Sequence, residues 1–255
     1  MSQDLILSRL NLQAVLPNLE TLIENDAKAA EMTRGWNACI QFTVKKGPSA
    51  YVCFTDGRCK VGAGKAPQSD ILLLFFSCRH LNRMFDNEAM PIPLKGFTRL
   101  SFLSKQFPRL TDRLEYFLKP TDELLSDNEY ARINTLLSLY TAGRAVSILS
   151  EEDKICKTIA SGMPDGATIM MKILPDGPAV TLLANDGAIS MIPEEHESPT
   201  AALLINDTKT ANRLLNQKLD PFAAIALGEI KIMGQIPQID AVDLILDRIP
   251  IYLKQ

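Results

Sequence analysis

The feature that most constrains this chain is an internal repeat. When the sequence is aligned with itself, the Asp-Gly pair at 56–57 coincides with the pair at 186–187, and at the same shift the Asn-Arg pair at 82–83 coincides with the pair at 212–213. The matches occur in the same order along the chain, and the insertions between them fall near loops. Two repeats, each spanning about half of the chain, predict tandem domains, because the units of a solenoid are shorter.

Two short insertions extend the repeat towards its C-terminal end. After the first insertion Gly96 coincides with Gly228, and after the second the segment 112–119 coincides with 247–254. We therefore expect two domains: 1–125 and 126–255.

Both copies have the pattern of one α+β unit. After a helical lead, the first copy has apolar or alternating segments at 39–44, 51–55, 58–62 and 71–76, which predict strands, and the second copy has counterparts of each. The Asp-Gly pair between the middle two segments is typical of a two-residue hairpin loop. One face of this hairpin is apolar and the other is mostly polar. We therefore predict a mostly antiparallel sheet of about five strands with helices covering one face.

The second half of each copy begins with a capped helix. Ser77 and Asp207 are the predicted N-caps. In the second copy Asp220 is also an N-cap and Pro221 the first helical residue, a position that proline favours. The remaining predicted elements of the second copy are a helix to 227, a strand at 229–233 and a helix at 240–253.

This order of elements resembles the sterol carrier protein type-2 fold. The most specific match is the stretch 228–234, Gly-Glu-Ile-Lys-Ile-Met-Gly, which follows a short amphipathic helix. In the first copy, 96–102 lacks the second glycine, and 90–94, with Pro93, replaces the Asp-Pro helix. The resemblance implies a hydrophobic tunnel between sheet and helices. It also implies binding or transfer of sterols, fatty acyl chains and similar lipids, without catalysis.

Large apolar residues indicate where such a pocket would lie. Nine of the ten phenylalanines fall within 42–117, and the apolar segment 90–103 combines two prolines with little helical periodicity. Such a segment suits a pocket wall or a mobile lid, so we expect the first copy to hold the functional pocket. The predicted ligand-binding residues are Met84, Phe85, Met90, Phe97, Phe102, Leu103, Phe107, Phe222, Ile225 and Ile232. The alternative for each is a side chain that packs the core.

The sequence gives little support for catalysis, and we predict no catalytic residue, metal site or cofactor. His80 lies in a predicted helix, and His196 lies in the acidic stretch 194–197, which is typical of a solvated loop. The repeated Asp-Arg pairs at 112–113 and 247–248 predict a salt bridge or a helix-end contact in both copies.

The five cysteines include no Cys-x-x-Cys pair. We therefore expect reduced thiols in a core and a cytoplasmic protein. A two-residue loop at 56–57 places Phe54 opposite Cys59 and Cys53 opposite Lys60. The thiols of Cys53 and Cys59 then lie on opposite faces of the hairpin and cannot bridge.

Charge differs between the two copies. Residues 36–119 contain 13 Lys and Arg against 6 Asp and Glu, whereas 166–254 contain 7 against 11. The net charge of −3 argues against nucleic acid as a partner. The basic first copy suits an anionic lipid headgroup or transient contact with a membrane surface. The alternative is that the two copies attract each other.

We expect a non-enzymatic protein that binds or transfers an apolar ligand in a hydrophobic pocket between sheet and helices. One alternative is an enzyme, or an enzyme subunit, that uses the pocket to hold a hydrophobic substrate. The other is a pure interaction module, which the lack of any pocket above roughly 300 Å³ would favour. The longest apolar runs are far shorter than the about 20 residues of a membrane span, and no signal peptide is expected.

Overall fold

The computed structural model describes residues 2–253, and the chain divides into two compact units. Unit 1 is Met1–Lys119 and unit 2 is Pro120–Gln255. Each unit contains one five-stranded sheet with helices. The predicted α+β class with two tandem units is therefore confirmed.

Unit 1 begins with helices and then forms its sheet. Its helices are α1 (Gln3–Leu10), α2 (Asn18–Asn25), α3 (Ala27–Thr33), α4 (Cys78–Phe85) and α5 (Phe107–Leu118). Its strands are β1 (Ala38–Val44), β2 (Ser49–Thr55), β3 (Arg58–Ala63), β4 (Ile71–Phe75) and β5 (Ile92–Lys95). Helical turns with π geometry at Asn11–Val15 and Phe102–Gln106 precede α2 and α5, and a 3₁₀ turn occupies Phe97–Arg99.

The sheet of unit 1 has the order β3-β2-β1-β4-β5. Only the β1–β4 pair is parallel, so the sheet is mostly antiparallel, as predicted. Alternate residues of the strands face the helices, because successive side chains of a strand point to opposite faces. Ile40, Phe42 and Phe75 are among the largest fully buried side chains on that face.

The β2–β3 hairpin has the predicted register. Phe54 lies opposite Cys59, and Cys53 lies opposite Lys60. Both loop residues have positive φ, 48° at Asp56 and 82° at Gly57. Such a loop matches the right-handed twist of the strands.

The expectation that the thiols are all reduced is wrong for two cysteines. Cys39 on β1 lies directly opposite Cys53 on β2, and the two form a disulfide. The Asp-Gly loop predicts only the pairing of β2 with β3. The disulfide partner of Cys53 lies on β1, the strand on the other side of β2. Cys59, Cys78 and Cys156 are free thiols.

Unit 2 repeats the arrangement with a longer helical lead. Its helices are α6 (Asn128–Glu152), α7 (Lys154–Ser161), α8 (Thr208–Leu215), α9 (Pro221–Ala226), α10 (Ile236–Leu246) and α11 (Ile249–Tyr252). Its strands are β6 (Ala167–Ile173), β7 (Ala179–Asn185), β8 (Ala188–Ile192), β9 (Ala201–Ile205) and β10 (Ile230–Gly234). Short 3₁₀ geometry at Leu124–Ser126 precedes α6.

The two sheets have the same topology. Read from the hairpin edge, unit 2 has the order β8-β7-β6-β9-β10, and its single parallel pair is β6–β9. The parallel registers correspond, since Ile40 lies opposite Ile71 in unit 1 and Ile169 opposite Ala201 in unit 2. The repeat seen in the sequence is therefore a repeat of structure.

The predicted match of Gly96 with Gly228 is wrong, because Gly96 corresponds to Gly234. Gly96 directly follows the edge strand β5 and Gly234 is the last residue of the edge strand β10, and both have positive φ, 93° and 77°. A Cβ on Gly96 would meet the Asp70 carbonyl oxygen at 3.0 Å, and one on Gly234 would meet the Thr200 carbonyl oxygen at 2.1 Å. Unit 1 has no counterpart of α9 between α4 and β5. The sequence alignment of the two copies did not allow for this missing helix and therefore paired Gly96 with the wrong glycine.

Two predicted helices differ in extent. The segment predicted as one final helix at 240–253 is divided into α10 and α11, with Pro250 in the first turn of α11. Proline is tolerated there because the first-turn N–H groups have no helical partner. The predicted helical lead of unit 2 consists of α6, which has 25 residues, and the shorter α7. None of the helices among residues 2–253 is long and apolar enough to cross a bilayer.

Candidate functional site

An aromatic cluster joins the sheet of unit 1 to the helical segment that follows β5. The Trp36 ring centroid lies 5.0 Å from that of Phe54 and 4.8 Å from that of Phe102, both edge to face. Phe107 lies 6.3 Å from Phe102 and 6.4 Å from Phe54. These are the separations of rings in direct contact. The cluster thus holds the start of α5 and the preceding π turn against the sheet.

Shortly before Phe102 in the chain, unit 1 exposes several large apolar side chains. Met90 is 81% exposed, Phe97 63%, Leu94 50% and Leu100 46%. They lie within one short segment, 90–100, that contains the edge strand β5. Several exposed large apolar side chains within one short segment, rather than scattered singly, indicate a binding surface.

Backbone constraints fix the shape of this segment. At one end His80 Nδ1 accepts a hydrogen bond from the Phe76 N–H at 3.2 Å, and its Nε2 lies 2.9 Å from the Met90 carbonyl oxygen. Pro93 is accommodated because β5 is the outermost strand, where a missing N–H is tolerated. At the other end Gly96 turns the chain from β5 into the 3₁₀ turn. The stretch predicted to be irregular is therefore a short strand followed by helix.

The predicted ligand residues of unit 1 fall into three environments. Phe102 and Phe107 are buried in the aromatic cluster, and their rings are in contact. Met84 and Phe85 on α4 are half-buried, as is Leu103 on the π turn. Met90 and Phe97 are exposed. The structure therefore brings Phe102 and Phe107 together, while Met90 and Phe97 lie at opposite ends of β5.

In unit 2 the predicted residues lie around α9 and β10. Phe222 is 80% exposed on α9, whereas Ile225 and Ile232 are half-buried. Leu227 after α9, Met233 on β10 and Ile236 at the start of α10 are further exposed apolar residues. Unit 2 therefore has its own apolar surface in the same part of the fold.

A cleft of about 440 Å³ lies in unit 2, between the C-terminal end of α7 and the start of α10. Its lining mixes apolar Ile159 and Met163 with the amides of Gln235 and Gln238. None of the predicted ligand residues lines it. Its lining residues Gln235 and Pro237 flank the exposed Ile236, so the cleft adjoins the apolar surface of unit 2.

Each unit also contains one partly buried ion pair at the N-terminus of a helix. In unit 1 the Asp26 carboxylate caps α3 by accepting from the Ala29 N–H at 2.9 Å, and it receives two hydrogen bonds of 2.9 Å from Arg113. The hydrogen bond from Arg113 lowers the pKa of Asp26, although burial opposes this shift. The Arg113 guanidinium also lies over the Phe117 ring at 4.6 Å.

The counterpart in unit 2 is Asp153, which caps α7 and binds Arg248 at 2.7 Å and the Tyr252 hydroxyl at 2.6 Å. Burial alone would raise the pKa of Asp153. The hydrogen bonds from Arg248 and Tyr252 outweigh it and hold this pKa well below its usual range. The predicted salt bridge of the repeated Asp-Arg pairs is confirmed in both units. Its acidic partner is not the neighbouring aspartate but a distant helix cap.

Two of the three free thiols are held in their protonated form. Burial raises the pKa of the Cys59 thiol, and it raises that of Cys156 to about 12, so both are protonated at neutral pH. A thiol needs its thiolate form to act as a nucleophile. The His196 ring accepts from the Ser198 N–H in an exposed loop. Within residues 2–253, no group of three His, Cys, Asp or Glu side chains could hold a metal ion.

Sequence reasoning missed three members of the unit 1 site: Trp36, Leu94 and Leu100. Trp36 precedes β1, and only the folded sheet brings it to Phe102. The signal for the other two was present, because apolar and basic residues alternate in Leu94-Lys95 and Arg99-Leu100.

Comparison with known proteins gives matches in solved structures only. No model of a known protein family matches the sequence, and no curated protein matches it. One similar solved structure is a UbiJ-SCP2 ubiquinone synthesis protein, with 16% identity over 43% of this chain and 91% of that protein, at a TM-score of 0.32.

Two others are sterol carrier proteins by name. Sterol carrier protein 2 from Yarrowia lipolytica shares 14% identity over 41% of this chain and 90% of its own, at a TM-score of 0.31. The sterol carrier protein domain 2 of Helicoverpa armigera shares 17% identity over 44% of this chain and 91% of its own, at a TM-score of 0.33. These names agree with the resemblance seen in the sequence. At such identities and TM-scores, the similarity assigns neither a ligand nor an activity to this chain.

Proposed function

We propose that unit 1 binds an apolar ligand, such as a sterol, a fatty acyl chain or a related lipid, without chemistry of its own. The observation that carries the proposal is the group of exposed apolar side chains around β5, which shortly precedes Phe102 of the aromatic cluster in the chain. Water contact with large apolar side chains is unfavourable by about 1.5–3 kcal/mol for each one that could be buried. A ligand that covers them recovers part of this free energy.

The ligand lies against the exposed side chains and reaches the edge of the aromatic cluster at Trp36, which is half-buried. Aromatic walls favour flat or extended hydrocarbons, because edge and face contacts add about 0.5–1.5 kcal/mol per pair. The π turn Phe102–Gln106 lies between the exposed segment and α5. Such turns often occur at functional sites.

The first experiment is native mass spectrometry of the purified full chain, combined with solvent extraction, to detect a lipid that co-purifies. A fluorescent fatty acid is then titrated, with Trp36 fluorescence as a second readout. We expect a dissociation constant in the micromolar range, which corresponds to about −8 kcal/mol.

The variant that tests the site is Phe97→Ser, because this side chain is largely exposed and its loss spares the core. Phe102 is 8% exposed, so a charge there would disrupt the cluster rather than probe the ligand. We expect Phe97→Ser to weaken binding about tenfold, since it removes roughly 1.4 kcal/mol of apolar contact. Phe222→Ser, at a phenylalanine of unit 2 that is also largely exposed, is the matched control and should bind normally. Loss of binding in the control alone would place the ligand in unit 2, and no binding of any probe would refute the proposal.

A further inference from the structure

The segment 90–109, which we call the basic apolar segment, contains no acidic residue. It has four cations, Lys95, Arg99, Lys105 and Arg109, and all four are exposed. They alternate with the exposed side chains of Met90, Leu94, Phe97 and Leu100. Apolar side chains and cations therefore share one exposed stretch of unit 1.

These cations are available to an external partner. Across residues 2–253, none of the four forms an ion pair with a carboxylate. The Lys95 ammonium donates to the Ser69 backbone carbonyl, which leaves its charge uncompensated. Arg113, shortly beyond the segment, is by contrast fully engaged by Asp26.

The corresponding part of unit 2 has the same apolar character and the opposite charge. Met233, Ile236 and Leu244 are the exposed apolar side chains there. The charged residues of β10, α10 and its C-terminus are one exposed cation, Lys231, and three acids, Asp240, Asp243 and Asp247, with Arg248 held by Asp153. The fold alone therefore does not account for the cations of unit 1.

We infer that the basic apolar segment docks unit 1 on a membrane surface that contains anionic lipids. The exposed apolar side chains enter the boundary between headgroups and acyl chains, and the four cations face the anionic headgroups. Each cation near such a surface strengthens binding about fivefold, and surface-active segments combine both features. This inference deepens the proposed function, because it names the source from which the apolar ligand is loaded.

The test is co-sedimentation of the full chain with two kinds of vesicle, phosphatidylcholine alone and phosphatidylcholine with about 30% phosphatidylserine. We expect binding to the anionic vesicles only, and weaker binding as salt screens the charges. Arg99→Gln with Lys105→Gln should lower this binding about 30-fold, from the loss of two cations at about fivefold each. The same double variant should bind the fluorescent fatty acid like the unmodified chain, which separates this inference from the proposed function.

The matched control, Lys154→Gln with Lys157→Gln, removes two exposed cations from unit 2. It should co-sediment with the anionic vesicles as strongly as the unmodified chain. An equal loss in the control would overturn the inference, because net charge would then explain binding. Equal binding to both vesicles would also overturn it. The inference would also be overturned if the chain self-associates in the absence of vesicles and the Arg99→Gln and Lys105→Gln changes abolish this self-association. The partner would then be the acidic apolar surface of a second copy.

Discussion

Replacing Arg113 by leucine is expected to destabilise unit 1 by about 3 kcal/mol. The Asp26 side chain is 9% exposed, and its partner Arg113 is 20% exposed. Without the guanidinium, the Asp26 carboxylate would keep the Ala29 N–H but would lose both charge-assisted hydrogen bonds. Removal of one member of a buried pair costs about 3–5 kcal/mol, and the partial exposure of Arg113 favours the lower end.

A double-mutant cycle separates the pair from the cap. Asp26→Asn removes the charge and retains capping of α3, because Asn and Asp are similar N-caps. We expect this variant to lose about 2 kcal/mol, since Arg113 keeps its contacts with the rings of Tyr116 and Phe117 and can reach water. The double variant should lose about 2 kcal/mol less than the sum of the two single variants, within the range for residues in contact.

Urea denaturation followed by Trp36 fluorescence measures these changes. Trp36 is the only tryptophan and belongs to unit 1, so its signal reports the unit that contains the pair. Lys119→Gln is the control. The side chain of Lys119 is 66% exposed and that of its partner Glu115 is 41% exposed, so their ion pair should contribute under about 0.5 kcal/mol to stability. Additive single losses, or a loss below about 1 kcal/mol for Arg113→Leu, would refute the reasoning.

The remaining predictions concern unit 2 and use circular dichroism during unfolding. Gly234→Ala should destabilise it by at least about 3 kcal/mol, because the new Cβ would lie 2.1 Å from the Thr200 carbonyl oxygen. Gly166→Ala, at nearly the same φ but with open space, should lose only about 1 kcal/mol, and equal losses would contradict the close approach. The depressed pKa of Asp153 stabilises the fold above the unfolded pKa of about 3.9, and this stabilisation is lost as the pH falls further. Asp153→Asn should therefore flatten the stability profile below about pH 4, and an unchanged profile would contradict this assignment.

Local signals in the sequence predicted the elements whose geometry is set by neighbouring residues. Ser77 and Asp207 cap α4 and α8 as expected, accepting from the N–H groups of His80 and Thr210. The hairpin register followed from a two-residue Asp-Gly loop, which leaves one pairing. Asp220 accepts from the Ala223 N–H, also as predicted.

Features that depend on distant pairing could not be predicted in this way. Pro93 argued against a regular element, yet the chain forms β5 there because β4 has a free edge beside it. The repeat located Arg113 but not its partner Asp26, which lies far earlier in the chain. Likewise, the exposure of Phe97 and the burial of Phe102 depend on how the π turn packs on the sheet, whereas the sequence offers both only as large aromatic residues.

The charge contrast between the units leads to one more prediction, a gain of function. If exposed apolar side chains and cations together suffice for docking, the apolar surface of unit 2 lacks only a comparable excess of cations, since it has Lys231 but also Asp240 and Asp243. Asp240→Lys with Asp243→Lys would supply them on α10, near the exposed Ile236 and Leu244. In the Arg99→Gln and Lys105→Gln background, we expect this pair to restore binding to phosphatidylserine vesicles at least about tenfold, from two added cations and two removed anions. The control, Glu194→Lys with Glu197→Lys, makes the same change in net charge in the loop between β8 and β9. This loop contains none of the exposed apolar side chains of β10 and α10, so the control should restore much less vesicle binding. Equal recovery by the two pairs would show that net charge alone governs vesicle binding.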